Sequence, residues 1–334
     1  MAQDWTAKKV LDLMRGYQPA CVLAAAAELD VFGVLSGRRM TARSLAAELG
    51  TDPRATTVVL DALAAMELLG KKADYYSVPP RVVELLTETG AGSVLAMVRH
   101  NANCLRRWVQ LARVTQSGHP ADREPSIRGE AADRAAFIGA MHNVSEPVAA
   151  TLVDELRPIS FRHLLDVGGA SGTWTITFLR AVPEAVATLF DLPDAIPLAK
   201  QRVADAGLTG RVTFVPGDFY TDELPAGADL AWVSAIVHQN SREQNRALFA
   251  KVHRALTGGG RVLIRDLVMD EPRTRPAAGA LFAVNMLVST SGGGTYTFAE
   301  LGEDLLVEGF TDVTLLRRDE WMSSVIRATK REPV

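Results

Sequence analysis

The chain is poor in cysteine: only Cys21 and Cys104 occur among its 334 residues, far apart and without a CxxC pair. That excludes a disulfide framework and a thiolate metal site, and it fits reduced thiols in a cytoplasmic protein. An excess of one charge is also missing, since 36 lysines and arginines stand against 39 aspartates and glutamates, a net of −3. No nucleic acid is therefore expected as the main partner. No apolar run approaches the roughly 18 residues that cross a bilayer. The start, Met1-Ala2-Gln3-Asp4-Trp5, has neither the basic stretch nor the apolar core of a secretion signal, so no membrane association is expected. What is present is ordinary globular composition, 48% hydrophobic and 22% charged, over a length that predicts two domains rather than one core.

Residues 6–36 carry apolar positions at helical spacing, among them Cys21, Val22, Ala25, Leu29 and Val31. A short helix follows between Thr41, a candidate N-cap, and Gly50, a candidate C-terminal glycine. A second runs from Asp52-Pro53 to Leu69-Gly70, and Lys71–Val78 reads as a hairpin. Helix, helix, hairpin is the winged-helix order. A DNA-reading winged helix needs basic or amide side chains on its second helix. This one offers Arg54 and otherwise mostly alanine, threonine, valine and leucine, which favours a packing module, a second copy of the chain being one partner it could bury. Residues 91–117 are helical, 118–129 are a loop with Pro120 and Pro125, and a helix starts near Glu130 with Phe137, Met141 and Val144 on one stripe.

From Phe161 the pattern changes to short apolar runs alternating with helical segments: 163–167, 188–190, 212–215, 230–234, 261–265, 313–316 and 325–328. Strands alternating with helices predict an α/β domain with an open, mostly parallel sheet covered on both faces. The expected boundaries are a helical domain over 1–118, a linker and helix over 119–158, and the sheet domain over 159–334.

The first strand ends in Asp166-Val167-Gly168-Gly169-Ala170-Ser171-Gly172. This is not the GxGxxG of a dinucleotide fold. Asp166 before the glycines would repel a pyrophosphate and suits a cationic ammonium group. Asp191 closes the second strand, where a carboxylate can accept both ribose hydroxyls, and Asp218-Phe219 closes the third, a polar and an aromatic side chain suited to a purine. Acids at three successive strand ends describe S-adenosylmethionine better than a nicotinamide dinucleotide. His238 follows the fourth strand at the carboxyl end of the sheet, where ligand sites of α/β folds form. It reads either as a base for an acceptor proton or as a helix-start histidine bonded to the backbone.

With these residues in view the chain resembles the family 2 S-adenosylmethionine-dependent O-methyltransferases, which include plant caffeate and flavonoid enzymes and bacterial polyketide tailoring enzymes. The matches are Asp166–Gly172, Asp191-Leu192-Pro193, Gly217-Asp218-Phe219 and Ile236-Val237-His238. The resemblance implies a Rossmann-like class I methyltransferase domain with a seven-stranded sheet, preceded by a winged-helix-like dimerisation domain. It implies S-adenosylmethionine as donor with S-adenosylhomocysteine as product, a homodimer and a small-molecule acceptor. It assigns cofactor contacts to Ser145, Asp166, Gly168, Gly169, Gly172, Asp191, Leu192, Asp218, Phe219 and Ser234. It makes His238 the general base with Asp266 steering its ring. Phe282, Asn285 and Met286 resemble the family helix that lines the acceptor pocket, and Phe137, Met141 and His142 complete an apolar slot; Phe282 and Met286 read equally well as core.

Two departures stand out. The family's His-Asp-Trp is here His238-Gln239-Asn240, and a second family acid near the substrate falls at Thr295. They keep open a non-methylating tailoring enzyme (decarboxylase, hydroxylase or cyclase), and the N-terminal module keeps open a ligand-sensing regulator.

Overall fold

The computed structural model describes residues 4–332; the outermost residues of the two end domains expected from sequence, 1–3 and 333–334, lie outside that span, as does most of the stretch read as lacking a secretion signal. Contacts divide the chain into two compact units. One takes the chain up to Arg106 together with Arg123–Asn143; the other takes Arg107–Asp122 and everything from Val144 on. The segment 119–158, expected as a separate linker and helix, is thus shared between them.

In the first unit the helical stretch expected over 6–36 is three helices, α1 (Ala7–Arg15), α2 (Tyr17–Glu28) and α3 (Val31–Leu35). The breaks have local causes: Gly16 turns the chain after α1, and Asp30 takes a left-handed φ of 61° before α3. Strand β1 (Met40–Thr41) leads into α4 (Ala42–Leu49), where Thr41 Oγ1 accepts the Ser44 N–H at 3.2 Å and Gly50 ends the helix at φ 67°. Asp52 Oδ1 accepts the Ala55 N–H at 2.7 Å and Pro53 fills the first turn of α5 (Pro53–Ala65). The hairpin is β2 (Gly70–Lys72) and β3 (Tyr75–Ser77), with β1 as a third antiparallel strand. Its core gathers Phe32, Leu35, Leu45, Leu60, Leu63 and Tyr76. Helix α6 (Pro80–Leu86) was not foreseen. The helical region 91–117 is two helices, α7 (Leu95–Trp108) and α8 (Leu111–Ser117), followed by a loop and α9 (Glu130–Glu155).

In the second unit the elements alternate: β4 (His163–Val167), α10 (Thr173–Ala181), β5 (Val186–Asp191), α11 (Ile196–Asp205), β6 (Val212–Pro216), β7 (Ala228–Ser234), α12 (Arg242–Ala255) and β8 (Leu256–Asp266). The short β9 (Val268–Met269), α13 (Ala277–Ser289), β10 (Tyr296–Thr297), α14 (Phe298–Val307), β11 (Phe310–Arg317) and β12 (Ser324–Lys330) complete it. Seven strands form one sheet in the order β11-β12-β8-β7-β4-β5-β6. All neighbours pair in parallel except that β12 runs against both β8 and β11. Side chains alternate between its faces: Leu165, Val167, Ala231 and Val233 join one core, and Leu164, Leu230 and Trp232 the other. Both faces are covered, as a parallel sheet requires. The chain winds from β4 to β5 and β6, then returns to β7 on the other side of β4. The crevice above the carboxyl ends of β4 and β7 is therefore the switch point at which such sheets bind ligands.

Helices α12 and α14 are tied by a buried acid. Asp304 accepts from Arg242 Nε at 3.0 Å and Nη2 at 2.8 Å, and from Arg246 Nη1 at 3.1 Å. Removing one partner of such a group costs several kcal/mol, because the desolvation remains while the attraction is lost. Arg242→Ala combined with Arg246→Ala, which leaves the buried Asp304 carboxylate without either partner, is expected to lower unfolding free energy by about 3 kcal/mol, read as a lower urea midpoint with an unchanged slope.

Candidate active site

The glycine loop follows β4 and is closed on itself. The Gly168 and Gly169 N–H groups donate to Phe190 O at 2.8 and 3.3 Å, Ala170 N–H donates to Asp191 Oδ2 at 2.6 Å, and Gly172 N–H donates to Gly169 O at 2.8 Å. A loop that turns these donors inward is poorly equipped to cradle a pyrophosphate, which needs them free. At Gly168, φ is 69° and an added Cβ would lie 2.6 Å from Ile236 Cδ1. The missing side chain lets the glycine loop touch the segment leading to His238.

Asp191 ends β5 with both carboxylate oxygens engaged once, by the Ala170 N–H and by the Leu192 N–H at 2.6 Å, each keeping a further lone pair. Burial pushes its pKa up and those two N–H groups pull it back. Leu192 is exposed beside it. Beyond β6, Asp218 Oδ1 accepts the Tyr220 N–H at 2.9 Å, and the Phe219 and Tyr220 rings pack 4.6 Å apart. Lys251 of α12 pins this loop from below, donating to the carbonyls of Phe219 (2.9 Å), Tyr220 (3.2 Å) and Asp222 (2.8 Å). Lys251 gives no sign in the sequence, because it is one charged position on an amphipathic helix.

Asp166, the acid expected to suit a cationic ammonium group, lies at the end of β4 as a buried side chain. It is buried beneath the glycine loop, where Oδ2 accepts Thr175 Oγ1–H at 2.6 Å. Burial is the main cause of a pKa pushed up to about 7, with the Asp191 charge adding to it. Its shown partner is the start of α10, so it anchors the loop to that helix.

Strand β7 ends at Ser234, and Ala235 at φ 58° turns the chain into a 3-10 turn over Val237–Gln239. His238 Nδ1 lies 2.9 and 3.0 Å from the two oxygens of Asp266 at the end of β8. The carboxylate, 1% exposed, also accepts the Leu267 N–H at 2.7 Å. An acceptor-only carboxylate on Nδ1 assigns the proton there and leaves Nε2 as the acceptor of the ring. The Phe282 ring of α13 meets the imidazole edge-on at 4.9 Å. A glycine loop closes the other side of the turn: the Gly294 N–H donates to His238 O at 2.8 Å, and a Cβ on Gly293 would come within 2.6 Å of that oxygen.

Other expected residues are placed as follows. Asn285 Oδ1 accepts Trp108 Nε1–H at 2.9 Å, and Met286 is buried. Thr295 is buried with its hydroxyl donating to Gly279 O at 3.4 Å. Ser145 is buried in the part of α9 belonging to the second unit. Phe137, Met141 and His142 lie on the part of α9 that belongs to the first unit, where the Phe137 ring packs 5.2 Å from His100. Ser234 accepts Arg265 Nη1–H at 3.2 Å. Arg265, wholly buried, stacks 4.9 Å over Trp174 and reaches Ser323 at 3.3 Å. Its signal was legible: a cation inside the apolar run Val262-Leu263-Ile264-Arg265.

Comparison with known proteins gives the family of the chain. A family model described as an O-methyltransferase domain matches residues 125–310, and one described as an O-methyltransferase dimerisation domain matches residues 11–88. The chain is 34% identical to the tetracenomycin polyketide synthesis 8-O-methyl transferase TcmO of Streptomyces glaucescens, over 91% of each chain. It is 31% identical to the 3-hydroxy-5-methyl-1-naphthoate 3-O-methyltransferase of Streptomyces sahachiroi, over 92% of this chain and 90% of the relative. In fold it is similar to human N-acetylserotonin methyltransferase in complex with SAM, with a TM-score of 0.81 at 24% identity over 99% and 100% of the two chains.

The Asp166 carboxyl makes stability depend on pH. Its ordinary pKa is 3.8 and its folded value about 7, so between these the folded protein holds a proton that the unfolded chain releases, and stability falls as pH rises through that window. Asp166→Asn keeps an acceptor for Thr175 and removes the titration. Its melting temperature is expected to vary less than that of the wild type between about pH 4 and 7 and to exceed it at pH 8, measured by calorimetry.

Proposed function

The chain belongs to the S-adenosylmethionine-dependent O-methyltransferase family, and from that premise we propose that it methylates a phenolic hydroxyl of a fused aromatic, polyketide-type acceptor, with His238 as the base. The observation that carries this reading is the His238–Asp266 pair at the carboxyl end of the sheet, beside the glycine loop. The aromatic polyketide and naphthoate named for the two relatives support the acceptor class.

The residues present fit the donor. Asp191 keeps lone pairs for two ribose hydroxyls, Asp218 and Phe219 stand at the next strand end for the adenine, and the inward-turned loop disfavours a phosphate in its place. Gly168, Gly169, Gly172, Leu192, Ser234 and Ser145 are assigned to the same site. When bound, S-adenosylmethionine supplies an electrophilic methyl group on a sulfonium. The chain's own task is then to orient the acceptor oxygen and take its proton. Nε2 would accept the proton of the acceptor hydroxyl as that oxygen takes the methyl group. Asp266 holds the ring's tautomer and stabilises the imidazolium formed. Phe282, against the ring, gives a flat acceptor an apolar wall; Asn285 and Met286 on the same helix are assigned to that slot. His238→Ala is expected to lower kcat about 10²- to 10⁴-fold while S-adenosylhomocysteine still binds in calorimetry. Unchanged turnover on a panel of phenols would remove His238 from the chemistry.

We further propose that the working form is a homodimer in the cytoplasm. Neither cysteine forms a disulfide, and no helix among the described residues is long and apolar enough to cross a membrane. Helix α1 has no buried residue in the single chain, yet presents Val10, Leu11, Leu13, Met14 and the following Tyr17. An apolar face of that kind on a segment overlapping the dimerisation match is expected to be covered by a second copy. Light scattering should give twice the chain mass of 36.0 kDa for the wild type, and half of that for Leu13→Glu combined with Met14→Glu.

A further inference from the structure

The departure from the family's His-Asp-Trp leaves a polar side chain, Asn240, where the resemblance has an indole, and Asn240 is completely buried. A buried carboxamide costs stability unless it is bonded. Asn240 is bonded through its side-chain oxygen, its side-chain nitrogen and its backbone carbonyl. Its Oδ1 accepts Tyr220 Oη–H at 2.5 Å, its Nδ2 donates to Asn245 Oδ1 at 3.0 Å, and its backbone carbonyl accepts Tyr296 Oη–H. Asn245, equally buried, passes the chain on: its Nδ2 donates to Val237 O at 2.9 Å, the carbonyl directly before His238. Every donor points the same way. Val237 O can only accept, so Asn245 must present its amide nitrogen there, Asn240 must present its own to Asn245, and Tyr220 must donate.

The other end of this chain is the loop assigned to adenine. The Tyr220 N–H holds Asp218 Oδ1, its ring lies against Phe219, and about half of the residue is exposed. Burial raises the pKa of both the Tyr220 and Tyr296 phenols, so both keep the proton they donate. We propose that Tyr220, Asn240 and Asn245 form a hydrogen-bonded strut through which the loop carrying Asp218 and Phe219 sets the position of the turn carrying His238. They are positioning residues. The strut rests on the assignment of that loop to the nucleoside and of His238 to the chemistry. It gives this sequence a use for Gln239-Asn240: the link from base to cofactor loop is made through buried amides.

Tyr220→Phe tests this with little risk to the fold, since it deletes one oxygen from a half-exposed ring. The strut predicts kcat about tenfold lower, the order of one well-placed hydrogen bond, with the KM for the acceptor unchanged. Combined with His238→Ala it predicts no further loss, because the effect acts through His238. A structural role alone lowers the melting temperature and leaves kcat intact, and a kcat loss that persists in full on the His238→Ala background acts without His238; either result would overturn the proposal. A second readout does not depend on His238 being the base. Saturating adenosine is expected to shift the His238 ring resonances in NMR spectra of the wild type, and to shift them less in Tyr220→Phe. Equal shifts in both proteins would contradict the strut. Unchanged turnover in His238→Ala sinks only the base assignment, and the NMR comparison then decides the strut by itself.

Discussion

Asp266 sits at the end of a central strand with almost no solvent around it, and a carboxylate there must find its hydrogen-bond donors in the protein. It accepts from His238 Nδ1, from the His238 backbone at 3.4 Å and from the Leu267 backbone at 2.7 Å. That demand fixes the ring's plane, its tautomer and the direction of its second nitrogen at once. The surrounding structure serves the same placement. Ala235 turns the chain out of β7, Gly293 leaves room for the His238 carbonyl, and Gly168 leaves room for Ile236, so the turn sits against the glycine loop. A methyl group transferred in line between two bound molecules needs this kind of fixed geometry more than it needs a strong base, because the sulfonium is already a good leaving group.

The electrostatics of the crevice are acidic but sheltered. Asp166 is withdrawn beneath the loop with a raised pKa, Asp191 has two backbone N–H partners, and Asp218 is bonded by Tyr220. The loop's own N–H groups are largely spent. Such a site favours a neutral sugar and a cationic sulfonium over phosphates, which separates an S-adenosylmethionine enzyme from a dinucleotide enzyme built on the same kind of sheet.

Much of this was legible in the sequence because it depends on short-range chemistry. The strand starting at His163 and ending at Val167 is bounded by charge and glycine, Thr41 and Asp52 are N-caps by side-chain type, and Asp166, Asp191 and Asp218 mark strand ends. What escaped depends on distant partners. The break at Asp30 is a single left-handed residue inside an apolar helical pattern. Strand β8 begins five residues before its apolar core at Arg261, because Thr257 and the glycines after it extend without any periodic signal. The hydrogen bond from Thr175 to Asp166 was not legible, since the side of a strand end that its acid takes is set by the neighbouring helix. Asn240, Asn245 and Tyr220 each look like an ordinary surface polar residue until the fold stacks them.

The account turns on where the nucleoside lies relative to His238. A crystal structure with S-adenosylhomocysteine bound tests this most directly. The account predicts both ribose hydroxyls on the Asp191 carboxylate, the adenine beside Asp218 and Phe219, and the sulfur turned toward the space in front of His238 Nε2. A nucleoside bound away from Asp191, or a sulfur on the far side of the glycine loop from His238, would contradict it.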